Sequence, residues 1–330
     1  MHFALTEDQV ALRDTVRELL AAQCPPDVVR AAWPAGEPAA LDGLWDALAT
    51  MGVFGAAVPE EAGGLGLDET DLVPLLEEFG YAAVPLPVAE TATVVAPLLA
   101  AAGDQRLSAV LSGATRVALA GADRLVPYGA RADLVLVLTD THARLVAPEP
   151  DPVLPTVDGS RALTRLSDAT GELVTDDPEL VSLARHRAEL ATSAQLVGLG
   201  RRMLDLTVEY VGQRRQFGVP IGSFQAVKHQ LADALLRIEF AAPAVHAAGW
   251  ALARRRPGRA TDVSMAAVLA SEAAQDVARA AIQCHGAIGY TVEYDLHLYA
   301  KRTWALAAGC DVDAHLDRLA GALDLKEEPA

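Results

Sequence analysis

Two long helix-periodic stretches, about 181 to 213 and 223 to 256, are joined only by Arg214-Arg215-Gln216-Phe217-Gly218-Val219-Pro220-Ile221-Gly222-Ser223-Phe224-Gln225. A third stretch spans about 261 to 285, and a last one about 293 to 323. Long helices with apolar stripes must bury them against one another, so residues 179–330 read as a four-helix bundle. The joining segment is chemically distinctive as well. A guanidinium at a helix-to-helix turn offers a planar fork of donors to a pyrophosphate, and a nearby Phe offers a face on which adenine can stack.

The first third reads differently. Thr6-x-x-Gln9 opens it as a capping box, followed by Val10, Leu12, Val16, Leu19 and Leu20 at roughly helical spacing, which predicts a helix of about four turns. Leu41 to Met51 predicts a second helix. The glycines of Val58-Pro59-Glu60-Glu61-Ala62-Gly63-Gly64-Leu65-Gly66-Leu67 end it. Asp68 to Ala82 and Val88 to Ala102 predict two more, so residues 1–113 form a helical domain. After Gly113 come short Val- and Leu-rich runs at 116–120, 132–138 and 143–146, separated by Gly, Asp and Pro. These read as strands of a small β domain, residues 114–178. The expected fold class is mainly α with a small middle β domain.

At 330 residues and 52% hydrophobic content, the chain can bury two or three substantial cores. A net charge of −17 argues against nucleic acid or an anionic membrane surface as main partner, because both would be repelled. Three cysteines, Cys24, Cys284 and Cys310, have no metal-type spacing and an odd count. No disulfide framework is expected, and a reducing cytoplasm is. Met1-His2-Phe3-Ala4-Leu5-Thr6-Glu7-Asp8-Gln9 lacks the basic flank and apolar core of a secretory signal. The most apolar window, Ala82 to Ala102, is interrupted by Pro85, Pro87, Glu90 and Pro97, so no membrane span is expected. There is no Walker loop or nucleophile elbow, and Gly198-Leu199-Gly200 lies in a helical pattern with no preceding strand.

The Arg214–Gln225 segment resembles the arginine-containing flavin motif of the acyl-CoA dehydrogenase family. Downstream, Gln283-Cys284-His285-Gly286-Ala287-Ile288-Gly289-Tyr290-Thr291-Val292-Glu293-Tyr294-Asp295-Leu296 is similar to that family's Gln-x-x-Gly-Gly-x-Gly-aromatic stretch, with Ala287 in place of the second glycine. The Pro59 to Leu67 run resembles a loop of its N-terminal helical domain. The resemblance covers nearly the whole chain and implies an acyl-CoA dehydrogenase-like fold: N-terminal helical domain, β domain, C-terminal four-helix bundle. In that family each flavin lies across a subunit contact, with the C-terminal helices of the dimer mate gripping the ADP half. The resemblance therefore implies FAD as cofactor. By it, Arg214 contacts the pyrophosphate, Phe217 packs on the adenine side and Gln225 hydrogen-bonds the same portion. Gln283 and Gly286 line the adenosine pocket, Gly286 because a missing side chain lets backbone approach closely. Alone, an Arg at a helix end is an ordinary solvated charge; only the joint pattern points to a ligand.

Two features of the family are missing from the sequence. The Thr-Glu-Pro-x-x-Gly-Ser-Asp-like loop and Trp-Ile-Thr-like strand that hold the flavin ring do not occur between 113 and 178, and no Trp lies between Trp45 and Trp250. The reaction also needs a carboxylate to take the α-proton of an acyl thioester, a role suited to a Glu whose pKa is raised by burial. Ungapped extension of the Gln283 match puts that position on Cys310, with Asp311 one residue later. Members that carry the base on an earlier helix align it with Ala188, beside Glu189, and one residue on a helix is a rotation of ~100°. His285, His297 and Arg254-Arg255-Arg256 read as packing or helix-end residues.

The resemblance thus implies a subunit of an α2β2 acyl-CoA dehydrogenase, of the kind that acts on bulky thioesters including steroid side chains. This chain would supply the ADP-side grip in trans, and a partner of the same fold the flavin-ring pocket and catalytic Glu. An electron-transfer flavoprotein is the implied acceptor. Two alternatives stay open: a complete homo-oligomeric enzyme with Glu189 or Asp311 as displaced base, and a flavin-free scaffold that kept the fold.

Overall fold

The computed structural model describes residues 4–325 apart from 35, 37, 38, 122, 149–151 and 169; Met1-His2-Phe3 of the acidic N-terminus thus lies outside the described residues. Helix α1 (Glu7–Gln23) starts on the expected capping box: Thr6 Oγ1 accepts from Gln9 N–H, and Gln9 Oε1 accepts from Thr6 N–H. Then come α2 (Pro26–Ala31), α3 (Ala39–Thr50) and α4 (Glu69–Tyr81), the last capped by Asp68.

The stretch expected as a single helix over 88–102 is instead α5 (Val88–Glu90), a π-helical turn at Thr91–Val95 and α6 (Ala96–Ala102). Pro97 has no N–H to close the α-helical ladder, and the Thr91 and Thr93 hydroxyls donate back to Pro87 O and Ala89 O at 2.6 and 2.7 Å. A short α7 (Leu107–Leu111) completes the helical first third.

The middle holds β1 (Val117–Ala120), β2 (Leu125–Val126), β3 (Leu134–Leu138), β4 (Ala143–Val146), β5 (Thr164–Arg165) and β6 (Glu172–Thr175). One sheet runs β1-β3-β4-β6, parallel between β1 and β3 and antiparallel elsewhere, and β2 pairs with β5 in a separate ribbon. The strands β2, β5 and β6 carry no apolar run longer than two residues. The exposed Glu172 and Leu173 of β6 show why an edge strand escapes pattern reading.

Helix α8 (Pro178–Gln213), 36 residues and about 54 Å long, is capped by Asp177. With α9 (Gln225–Ala253) and α10 (Arg259–His285) it forms an antiparallel set. The helix expected over 293–323 is broken into α11 (Leu296–Ala307) and α12 (Val312–Ala322). Asp311 caps α12, accepting from Ala314 N–H at 3.1 Å, and this competes with continuation of the helix.

α4 crosses α8 backbone to backbone. A Cβ on Gly198 would lie 1.9 Å from Glu77 O, and one on Gly80 would lie 2.1 Å from Gln195 O. The buried acids of α4 are paired, Glu69 with Arg187 at 2.7 Å and Glu78 with Arg17 at 2.6 Å. Arg302 of α11, only 1% exposed, donates to Asp158, to Val84 O at 2.9 Å and to Ser160 Oγ at 2.8 Å. It thereby ties α11 to the chain before β5 and to the N-terminal helices. Among the described residues, all three cysteines are free, no helix is long and apolar enough to cross a membrane, and no His/Cys/Asp/Glu group is arranged to hold a metal.

Candidate functional site

Antiparallel packing brings the C-terminus of α8, the N-terminus of α9 and the C-terminus of α10 to one end of the bundle. Between α8 and α9 the chain makes a hairpin, β7 (Arg215–Gln216) against β8 (Val219–Pro220). Its two-residue tip, Phe217 and Gly218, has φ of +55° and +82°, the positive-φ pair that tight hairpins require. Gly218 accepts this without strain, whereas Phe217 is held in a region that bulky residues avoid. Its ring is 93% exposed, touching Phe224 edge-on with centroids 6.2 Å apart. Arg214 is exposed, and its carbonyl accepts from Ile221 N–H at 2.8 Å, which clamps the hairpin base. Gln225 starts α9 and is exposed too.

The second motif lies beside the first. Tyr210, one turn before Arg214, stacks on His285 with centroids 4.2 Å apart, and its hydroxyl donates to His285 O at 3.4 Å. Gln283 and Gly286 flank that histidine and are exposed. Gly286 has φ +66° and ψ −144°, and a Cβ there would meet nothing within 4 Å. Glycine is needed for this backbone conformation at the end of α10, a reason that exists without any ligand; the open space beside it leaves a cradle for one. The exposed residue Ala287, where the family-like stretch has glycine, does not close that cradle within this chain. Exposed cation, exposed ring and uncrowded glycine, all at one end of the bundle, suit an adenosine diphosphate moiety.

The two candidate bases come together although they are far apart in sequence. Glu189 of α8 and Asp311 before α12 line one cavity of about 310 Å3, shared with Cys310, Arg185 and Arg318. Glu189 Oε2 is buried without a hydrogen-bond partner, and burial pushes its carboxyl up although Arg318 and Arg185 pull it down. Asp311 is engaged in capping α12. Burial pushes the Cys310 thiol up to about 11, with help from the Glu189 and Asp311 charges, so this thiol is no nucleophile at neutral pH.

A larger cavity of about 530 Å3 adjoins it along α8, toward α5, β2 and α11. Ala188, Thr192 and Gly309 border both cavities, while Glu189 lines only the smaller. That is the 100° helical rotation between Ala188 and Glu189 made visible. The larger cavity also contains Glu90 and Arg161, which the motif reading did not single out. The available signal for Glu90 was a lone carboxylate in the most apolar window of the chain; Arg161 had none.

Residues 6–113 match the family described as "Acyl-CoA dehydrogenase, N-terminal domain", and residues 181–309 that described as "Acyl-CoA dehydrogenase, C-terminal domain". The chain is 37% identical over 300 residues to acyl-CoA dehydrogenase IpdE2 of Mycobacterium tuberculosis, covering 90% of this chain and 91% of that one. It is 33% identical to the protein of the same name in Mycolicibacterium smegmatis, over 90% of this chain and 93% of that one. Among solved structures, a chain of the ChsE4-ChsE5 complex from Mycobacterium tuberculosis superposes with a TM-score of 0.81 at 26% identity, covering 100% of both chains. The Tcur3481-Tcur3483 steroid ACAD G363A variant gives 0.82 at 25% identity, covering 96% of this chain and 98% of that one.

Proposed function

Because this chain belongs to the acyl-CoA dehydrogenase family, we propose that it is one subunit of a hetero-oligomeric, α2β2 enzyme that dehydrogenates an acyl-CoA thioester between its α and β carbons. In this reading Arg214, Phe217, Gln225, Gln283 and Gly286 hold the ADP half of FAD in trans, and a partner of the same fold supplies the flavin-ring pocket and catalytic Glu. Bound FAD supplies a hydride acceptor. The residues of this chain bind and orient its nucleotide end: Arg214 neutralises pyrophosphate charge, Phe217 stacks, and Gln225 and Gln283 fix the adenosine.

The observation that carries this reading is the length of α8. The larger cavity is lined by α8 from Ala188 to Gln195, and about 27 Å of helix, at 1.5 Å per residue, separates Gln195 from the end of the helix at Gln213. A separation of that order along one helix supports a hairpin that serves a flavin seated in a neighbouring subunit rather than in this chain's own cavity. Exposed apolar side chains along the two helices that the hairpin joins, Val208 on α8 and Leu236 and Phe240 on α9, support a surface that a partner covers. The likeness to chains of a named two-component complex and of a steroid ACAD supports a bulky acyl group and a hetero-oligomer. We take the enzyme to be cytoplasmic and to pass electrons to an electron-transfer flavoprotein, and we take 1–113, 114–178 and 179–330 as its working domain limits.

Purification alone and with a co-expressed acyl-CoA dehydrogenase-like partner tests the proposal by visible absorbance and mass. The expected result is a colourless single chain and a yellow complex with about one FAD per pair of chains. A yellow single chain bleached by an acyl-CoA would instead favour the homo-oligomeric reading. The unpartnered carboxyl of Glu189 favours it over Asp311 as the base in that case.

A further inference from the structure

Helix α12 is held to the bundle by an unusual anchor. α11, just before it, buries Leu296, Leu298 and Leu306, whereas the one buried side chain of α12 is His315, with Leu316 and Leu323 exposed. A helix that buries so little apolar surface can open without the rest of the bundle. His315 meets α10 at Ser264, whose hydroxyl donates to His315 Nδ1 at 3.1 Å. Arg318, one turn further along α12, donates from Nη1 to Ser264 Oγ at 2.6 Å, and the same nitrogen lies 3.2 Å from His315 Nδ1. A guanidinium nitrogen only donates, so both contacts of Nδ1 require it to accept, which makes the ring neutral with its proton on Nε2.

The same helix supplies a wall of the smaller cavity through Ala314, His315 and Arg318, facing Glu189 of α8. The turn at 308–311 joins α12 to α11 and is the point about which α12 can swing. Around His315 the titratable and charged groups are Arg318 of its own helix, Cys310 and Asp311 of the turn, and Arg185 and Glu189 of α8. Arg185 is engaged by Asp140 at 2.7 Å. Burial and the Arg318 charge push the His315 pKa down, and Asp311 opposes them. Nearby His186 is held down to about 4 by burial and by Arg259, Arg318 and Arg185.

We propose that α12 is a hinged cover over this cavity, latched to α10 by Ser264, His315 and Arg318 and released when His315 takes up a proton. Protonation turns Nδ1 from acceptor to donor and sets a second positive charge against the Arg318 guanidinium. A folded value below the ordinary 6.5 means that closure is favoured above about pH 6.5 and weakens as the pH falls through the folded value. The raised Glu189 carboxyl works in the opposite sense, gaining from burial as the pH falls, so its titration does not mimic the release. Opening uncovers Glu189, and it does so wherever the flavin binds, so this proposal and the subunit reading can fail separately.

The test is amide hydrogen exchange of the full chain, with its partner where co-purification requires it, each rate divided by the intrinsic rate at that pH. Between pH 7.5 and 5.5 the protection of residues 312–322 should fall by at least threefold. About tenfold is the most that one histidine of ordinary value 6.5 can give over that range. Residues 262–281 of α10 should keep their protection. His315→Asn retains an acceptor near the place of Nδ1 without titrating, and should remove the fall. Ser264→Ala should lower protection of α12 already at pH 7.5. Carbodiimide labelling of Glu189 at pH 5.5 should be several-fold faster in the wild type than in His315→Asn. Unchanged protection of α12 in the wild type, an equal loss in α10, a fall that survives His315→Asn and so belongs to His186, or equal labelling of Glu189 would overturn the proposal.

Discussion

Arg302 and Arg214 present the same guanidinium in opposite settings. Arg302 is sealed inside, and three partners from two other parts of the chain take its donors. Arg214 stands at the open end of the bundle, next to a Phe whose ring is 93% exposed on a positive-φ backbone. The first pattern is what a chain does with a charge it needs for its own architecture, since burial is tolerable only with full pairing. The second leaves donors and ring surface unused and accepts backbone strain to keep them there. What the chain satisfies internally holds it together; what it leaves unsatisfied in a defined geometry is available to something else.

The largest expected effect tests the sealed side. Arg302→Met leaves Asp158 buried and unpaired and should cost about 3–5 kcal/mol in denaturant unfolding at pH 7. A loss below about 1 kcal/mol would break the contrast. The same pair has a pH signature. Burial would raise the Asp158 carboxyl, but the Arg302 charge and hydrogen bonds from Ser160 and Arg302 hold it below its ordinary 3.8. A depressed folded value means stability that is present above about pH 4 and lost as the pH falls through the folded value. Arg302→Met should remove that acid limb.

Next in size, Arg214→Ala should leave unfolding unchanged within about 0.5 kcal/mol. Flavin retention by the co-purified complex should fall by roughly ten- to 150-fold, the equivalent of ~1.5–3 kcal/mol for a charge-assisted bond to phosphate. A folding defect with unchanged flavin content would reverse the roles assigned to the two arginines. Phe217→Asn sharpens the same point, because Asn tolerates positive φ. The chain should gain about 0.5–1 kcal/mol in thermal or denaturant unfolding while its complex holds flavin less well.

The smallest effect concerns Glu189. Its folded pKa is raised above 4.5, so its favourable contribution is present below about pH 4.5 and lost as the pH rises through the folded value. Glu189→Gln should match the wild type at pH 4 and exceed it at pH 8, by a fraction of the Arg302 effect. Denaturation midpoints at the two pH values check it. Equal midpoint differences for both proteins would mean that Glu189 is not held in a burial-penalised position.

The long helices were readable because their apolar spacing repeats over many turns, and Thr6-Gln9 announced its own cap. The strands β1, β3 and β4 were visible as Val/Leu runs. Strands β2, β5 and β6 were not, because they are short or half-exposed and depend on a partner strand that sequence does not show. The break between α11 and α12 depends on Asp311 choosing a local cap over a continuous helix, a competition that spacing alone does not decide. At the site, Arg214 and Gly286 were legible as motif members, and the Tyr210–His285 stack that sets the two motifs side by side was not. Glu189 was placed by its one-residue offset, but its meeting with Asp311 required the fold. His315 is silent in sequence, since its significance lies in its meeting with Ser264 and Arg318.

The crossing of α4 and α8 constrains how this chain can change over time. With Gly80 and Gly198 each facing the other helix's carbonyls, even a methyl group at either position demands that the whole crossing be re-spaced. Such a change would also displace Gln195 and its neighbours in the cavity wall. Substitutions at this crossing are therefore all-or-nothing, whereas those at the tip of the hairpin meet only solvent within the chain. Under random mutagenesis selected for folding alone, the two glycines should admit almost no replacement and residues 214–216 almost any. The record of such a selection would separate positions held by this chain from positions held by its ligand and partner.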